Sequence, residues 1–282
     1  LGVEWNDRDL MKVLAVLNFG FRRYIGAGFS PKLYSKSIKL LRAFRDGTKR
    51  QISNVGNKKT FEDFDTGQVD VRESYRNLIL NNNHLVKKRV DGFSWTLDVS
   101  DKGIGRILAK SNSTGSGLDF AREKLFMHIL DTVVKPGMTC IDIGANIGYA
   151  TMIMARNSGD SRKVFALEPD EHNLAFLKAN LLTNGFGNCH VSQRLVSDVD
   201  GQRDFWIAAQ PNLNSVIRTK HSIRKQILPC ITLRTLCMGE DIYPNFLKMD
   251  IEGHEVSVFQ GAFEFFRSET GETHFLLEVH PA

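Results

Sequence analysis

Cysteine is scarce in this sequence. Cys140, Cys189, Cys230 and Cys237 are the only four in 282 residues, and no two form a C-x-x-C pair. That scarcity excludes a disulfide framework and a cysteine-built metal site, and no metal ligands are assigned. A reducing compartment and a cytoplasmic location are the expectation. No run of about 18 or more uncharged apolar residues occurs, so no spanning helix is expected. No secretory leader is legible. Zinc-ligand spacing and an aromatic RNA-binding motif are also missing, so nucleic acid is not an expected partner. Acidic residues are sparse at one end only. Leu1–Thr60 holds 13 Lys+Arg against 4 Asp+Glu, a net +9 in a chain of +5, which leaves residues 61–282 at −4. The basic end is either a solvated helix face or a docking surface for an anionic surface or partner.

Hydrophobic residues make up 42% of the chain, enough at this length for a sizeable core. Residues 1–90 read as a basic, mainly helical N-terminal region. Leu10, Val13, Leu14, Leu17 and Phe21 recur at helical spacing, as do Leu33, Ser37, Leu40, Leu41 and Phe44. Tyr75–His84 reads as one more short helix. Residues 91–282 read as a separate domain, with its motif-bearing core at 137–282. Phe93–Val99 alternates like a strand, Ser111–Gly117 is a flexible connection, and Leu118–Leu130 carries a helical stripe.

Strands and helices then alternate. Strands are expected at Thr139–Ile143, Lys163–Leu167, His190–Leu195, Phe246–Asp250 and His274–His280. Helices are expected at Tyr149–Arg156, Asp170–Asn184 and Val256–Phe266. A strand-turn-strand insertion is expected around Asp200-Gly201, and Cys230–Cys237 reads as extended. This order predicts an α/β fold, a doubly wound, Rossmann-like, mostly parallel sheet. Ligands of such sheets sit at strand carboxyl ends, where Asp142, Glu168, Asp250 and Glu278 fall.

"CIDIGANIGYAT" sets a tight turn between the first of these strands and its helix. A dinucleotide site needs G-x-G-x-x-G. Here Asn146 replaces the second glycine between Gly144 and Gly148, and asparagine tolerates positive φ. Asp142 places an acid before the turn, unhelpful beside a pyrophosphate and favourable beside an amine. Glu168, at the end of the next strand, suits ribose hydroxyls, and Thr151 can donate a hydroxyl near the helix N-terminus. A nucleoside with a cationic, amino-acid-like tail fits these features better than NAD, and S-adenosylmethionine is such a molecule.

"DIGANIGYAT", "LEPD", "ITLRTL", "KMDIEGHEVSVFQGA" and "LLEVH" occur in that order. Together they resemble the FkbM-type family of class I SAM-dependent methyltransferases, over roughly Phe93–Ala282. The resemblance implies S-adenosylmethionine as cofactor, held by Asp142, Gly144, Asn146, Gly148, Thr151 and Glu168. It places Ser197, after the third strand, at the adenine. It implies O-methylation of a hydroxyl on a small molecule or glycan. The antiparallel strands that class I enzymes add after the fifth parallel strand are expected to be absent. Asp250, Glu252 and His254 in "DIEGHE" are the catalytic candidates, as base or as acceptor-orienting groups. Glu252 and Glu255 equally suit a helix N-terminus. A nicotinamide-linked oxidoreductase and a non-catalytic scaffold docking through the basic N-terminal helices are the competing readings.

Overall fold

The structure, a computed structural model, describes residues 84–100, 103–111, 121–160, 163–268 and 273–278. The helices expected before His84 lie outside the described residues, as do Leu118–Phe120 and His280. No helix among the described residues is long and apolar enough to cross a membrane.

The chain enters through an antiparallel hairpin of β1 (Leu85–Val90) and β2 (Phe93–Asp98). Asp91-Gly92 turns it with φ of 51° and 83°, the left-handed pair that a two-residue hairpin favours. The first of these strands is not among the expected elements, and Asp91-Gly92 is its signal. Helices α1 (Ile104–Lys110) and α2 (Ala121–Val133) follow.

Five parallel strands form the central sheet: β3 (Cys140–Ile143), β4 (Val164–Leu167), β5 (Cys189–Ser192), β9 (Phe246–Met249) and β10 (His274–Leu277). Their spatial order is β10-β9-β3-β4-β5. From β3 the chain winds one way through β4 and β5, then returns to the other side of β3. The reversal opens a crevice beyond the carboxyl ends of β3 and β9.

Each strand obeys the period of two. Ile141, Ile143, Leu247 and Met249 share one core with α5 (Leu233–Gly239) and α6 (Glu255–Ser268). Cys140 and Phe246 face the other core, with α3 (Tyr149–Ser158) and α4 (Glu171–Thr183). Helices therefore cover both faces, as the strand-helix alternation implies.

Asp170, where the helix is expected to start, caps α4, accepting from the backbone N–H of Asn173. Two asparagines of α4 fasten the hairpin to the sheet. Asn184 accepts from Ser94 N and donates to Ser94 O. Asn180, fully buried, accepts from Thr96 N and donates to Ile147 O in the glycine turn. Asn180→Leu therefore strands one donor and one acceptor. A loss of about 2–4 kcal/mol in urea unfolding is expected, and a loss under about 1 kcal/mol would show that the bridge is not a strut.

Three expectations fail locally. The third strand ends at Ser192, and Leu195–Ser197 (β6) joins a separate sheet with β7 (Gly201–Ala208) and β8 (Ser222–Thr232). No hairpin forms at Asp200-Gly201, because β8 lies between β6 and β7. Asp200 instead accepts from Thr232 N and Thr235 Oγ1, which ties it to the end of β8. The extended stretch expected over Cys230–Cys237 stops at Thr232. Its hydroxyl accepts from Thr235 N and starts α5.

Candidate functional site

Tertiary folding brings the ends of β3, β4 and β9 around a cleft of about 510 Å³, within the range of small-molecule sites. Gly144, Asn146, Glu168, Asp250, Glu252 and His254 line it, with Glu278. Six of the ten residues singled out in the sequence thus meet in one place. Gly148, Asp142, Thr151 and Ser197 do not line it.

The glycine turn is shaped by close approach. Gly144 has φ of 73°, and a Cβ there would stand 2.0 Å from the carbonyl oxygen of Asp250. The two strand ends can touch only because this residue has no side chain. Gly148, at φ 99°, faces Leu177 of α4 rather than the cleft, 2.7 Å from a would-be Cβ. Asn146 takes the left-handed conformation that the sequence permits, at φ 51°.

Glu168 is held by two backbone donors, Asn146 N at 2.7 Å and Asp170 N at 2.9 Å. Burial drives its pKa up from 4.5 to about 7. The two backbone hydrogen bonds and the Lys248 charge pull against that rise, and Asp170 adds to it. The carboxylate is thereby fixed at the cleft wall at the tip of β4.

Asp142 departs from its expected place. It is fully buried beneath the turn, where Thr151 donates to Oδ2 at 2.5 Å and Lys248 Nζ stands 3.2 Å from Oδ1. The Lys248 contact is an ion pair without hydrogen-bond alignment, since Oδ1 accepts no bond. The cause is register. Asp142 and Lys248 are directly opposite on β3 and β9 and share a face. The acid is thus neutralised by the protein, and Thr151 spends its hydroxyl on it. Lys248 also donates to Gly144 O at 2.8 Å, so it supports the turn from below. Burial lowers the lysine pKa, but Asp142, Asp250 and Glu168 together more than reverse this and leave it raised.

Sequence reasoning passed over Lys248. Its signal was a lysine inside a buried apolar strand, which must be paired. Arg194 was passed over as well; it is buried and lines the cleft.

The "DIEGHE" turn separates its acids. Glu255 is buried and accepts from Ile251 N and Gly253 N, so it pins the turn that leads into α6 and stays out of the cleft. Glu252 lines the cleft in a left-handed conformation, φ 56°, and its carbonyl accepts from Ser215 Oγ. His254 is buried rather than superficial.

Ser197 meets His254 instead of lining the cleft. Its hydroxyl donates to Asp198 Oδ1 at 2.9 Å and lies 3.0 Å from His254 Nε2. A serine has one proton to give, and Asp198 takes it. His254 Nε2–H then donates to Ser197, which leaves Nδ1 as the accepting nitrogen. Burial lowers the His254 pKa, with the Asp198 charge opposing and Arg203 assisting. The ring is neutral at physiological pH.

Two observations test the cleft against S-adenosylmethionine. The Asn173 and Asn212 side-chain carbonyls are buried at its wall with no hydrogen-bond partner, ready for amine or hydroxyl donors. Glu168 still has lone pairs to accept ribose hydroxyls after its two backbone bonds. The residues fit the group.

Residues 142–280 match the methyltransferase FkbM domain. The uncharacterized protein MJ1452 of Methanocaldococcus jannaschii is 30% identical over 73 residues, 26% of this chain and 27% of that one. The chain thus matches about a quarter of that relative's length. Among solved structures, M. jannaschii TYW2 in complex with AdoMet is 16% identical, covers 66% of this chain and 59% of its own, and has a TM-score of 0.36. A SAM-dependent methyltransferase from Aquifex aeolicus is 17% identical, with coverage of 54% and 58% and a TM-score of 0.30. Residues 142–280 are thus similar to a methyltransferase FkbM domain, and the residues of the cleft described above fit S-adenosylmethionine.

Proposed function

We propose that this chain transfers a methyl group from S-adenosylmethionine to a hydroxyl oxygen on a small molecule or glycan. The observation that carries the reading is a buried, neutral imidazole, His254, lining the cofactor cleft beside Asp250 and Glu252. When bound, the cofactor supplies an electrophilic methyl on a sulfonium. The protein's part is to hold a hydroxyl in line with it and to take the hydroxyl proton.

His254 Nδ1 is the proposed proton acceptor. Ser197 and Asp198 orient the ring and stabilise it when charged. Asp250 and Glu252 are proposed to position the acceptor, and Glu168 to hold the ribose. Asp142 and Thr151 are proposed to support the turn that cradles the cofactor, not to touch it.

The test is methyl transfer at saturating cofactor, screened by mass over a panel of sugars, polyols and polyketides. With an acceptor in hand, His254→Ala is expected to lower kcat by about 10²–10⁴-fold, the usual worth of a general base, with cofactor affinity unchanged. In the wild type, the acid limb of kcat is expected below the ordinary histidine range. Wild-type turnover in His254→Ala would remove the assigned base. Tight NAD binding without S-adenosylmethionine binding would overturn the reading as a whole.

A further inference from the structure

β7 and β8 form an arm whose outer face has no covering element among the described residues. Residues 61–282 hold 24 Lys+Arg against 28 Asp+Glu, yet Gly201–Thr232 holds Arg203, Arg218, Lys220, Arg224 and Lys225 against Asp204 alone. Without the arm, the rest of that stretch stands at 19 against 27. The arm is the basic exception in an acidic domain.

Its outer face is also apolar. Alternation puts Lys225 and Ile227 on one side of β8, with Trp206 of β7 opposite Lys225, and Ile223 is the extra, unpaired residue of a bulge between Ser222 and Arg224. Ile223 is 69% exposed and Ile227 61%. Arg218 and Lys225 lie over the Trp206 ring, at 5.1 and 5.8 Å from its centre, and Lys225 is also paired with Asp204 on the same face, which leaves Arg218 as the cation there whose charge Asp204 does not offset. The opposite face is spent on Phe205, Ile207 and Leu228, which pack together. Along Ser222–Pro229, β8 pairs only with β7, because β6 pairs with Cys230–Thr232.

Branched aliphatics and a tryptophan ringed by cations are the composition of a surface that enters the headgroup layer of an anionic bilayer. A nucleic acid would use the cations but gains nothing from two exposed isoleucines. A second copy of the same arm would bring like charges together. We propose that this face docks the protein on an anionic phospholipid membrane. Pro211–Val216, which joins the two strands, also lines the cleft. Docking therefore holds one wall of the cleft beside the lipid surface. The proposal does not depend on which atom is methylated.

The experiment is co-sedimentation of the full chain with phosphatidylcholine vesicles, with and without phosphatidylserine, at physiological salt. The wild type is expected to bind only the anionic vesicles. The pair Ile223→Asn and Ile227→Asn, and separately the pair Arg218→Glu and Lys220→Glu, are each expected to weaken binding roughly tenfold or more. All these side chains are exposed or sit on the arm, so thermal midpoint and cofactor binding serve as controls for folding. Brominated lipid is expected to quench tryptophan fluorescence in the wild type and not in Trp206→Phe. Three results would each overturn the proposal: no binding of anionic vesicles, wild-type binding by both pairs of variants, or equal quenching in Trp206→Phe. The second of these would assign membrane binding to another part of the chain. Binding of RNA but not of vesicles would overturn it as well.

Discussion

Lys248→Met is expected to destabilise the domain by about 3–5 kcal/mol, the cost of leaving a buried charge uncompensated. In a domain of this size that is a fall of roughly 10 °C in thermal midpoint. The cause is geometric. Asp142 is fully buried on the neighbouring strand, and the lysine is the cation facing it at 3.2 Å. Methionine keeps most of the volume and removes only the charge and its hydrogen bond to Gly144 O.

Adding Asp142→Asn to Lys248→Met is expected to recover most of the loss, because the double variant buries no charge. Thr151 can still donate to the asparagine carbonyl. The coupling is measured by a double-mutant cycle in urea. Additive losses would mean that the two side chains do not stabilise each other. Cofactor affinity is expected to stay reduced even in the rescued variant, because the support under Gly144 is still gone. Stability and turn support thereby become separable.

S-adenosylmethionine is expected to bind about tenfold more weakly at pH 6 than at pH 8, with the change centred near the Glu168 pKa. Burial raises that pKa to about 7, so the free protein holds a proton there below neutrality. In the proposed site the ribose hydroxyls donate to the ionised form, so binding is expected to expel the proton. The folding stability runs the other way. The folded state binds the proton more tightly than the unfolded state between pH 4.5 and about 7. Stability is therefore greatest at the acid side of that window and is lost as pH rises through it, by up to about 3 kcal/mol.

Calorimetry in buffers of different ionisation enthalpy measures the proton released on binding. Glu168→Gln is expected to bind weakly at every pH and to release none. It presents one acceptor where Asn146 N and Asp170 N now find two. A flat wild-type profile from pH 6 to 8, or a variant that keeps the slope, would remove Glu168 from the ribose.

The succession of elements was legible because each carries its own period. Short, mostly apolar runs closed by Gly144, Glu168, Asp250 and Glu278 gave four of the five parallel strands, and Asp170 stood at a helix start. The permissive turn was legible too. Gly144, Asn146 and Gly148 all have positive φ, which only glycine and a few residues such as asparagine accept readily. These are local properties of the chain, so they could be read without the tertiary structure.

Partnership was not local. Asp142 reads as a ligand group until β9 arrives in register and sets Lys248 opposite it, 106 residues later. Ser197 reads as an adenine contact until the fold carries it to His254, 57 residues away. Gly201 reads as a hairpin turn until β8 inserts between its neighbours. In each case the side chain satisfies its charge or hydrogen bond with a group far along the chain. Burial makes such a partner obligatory, and only strand order and register choose which residue it is.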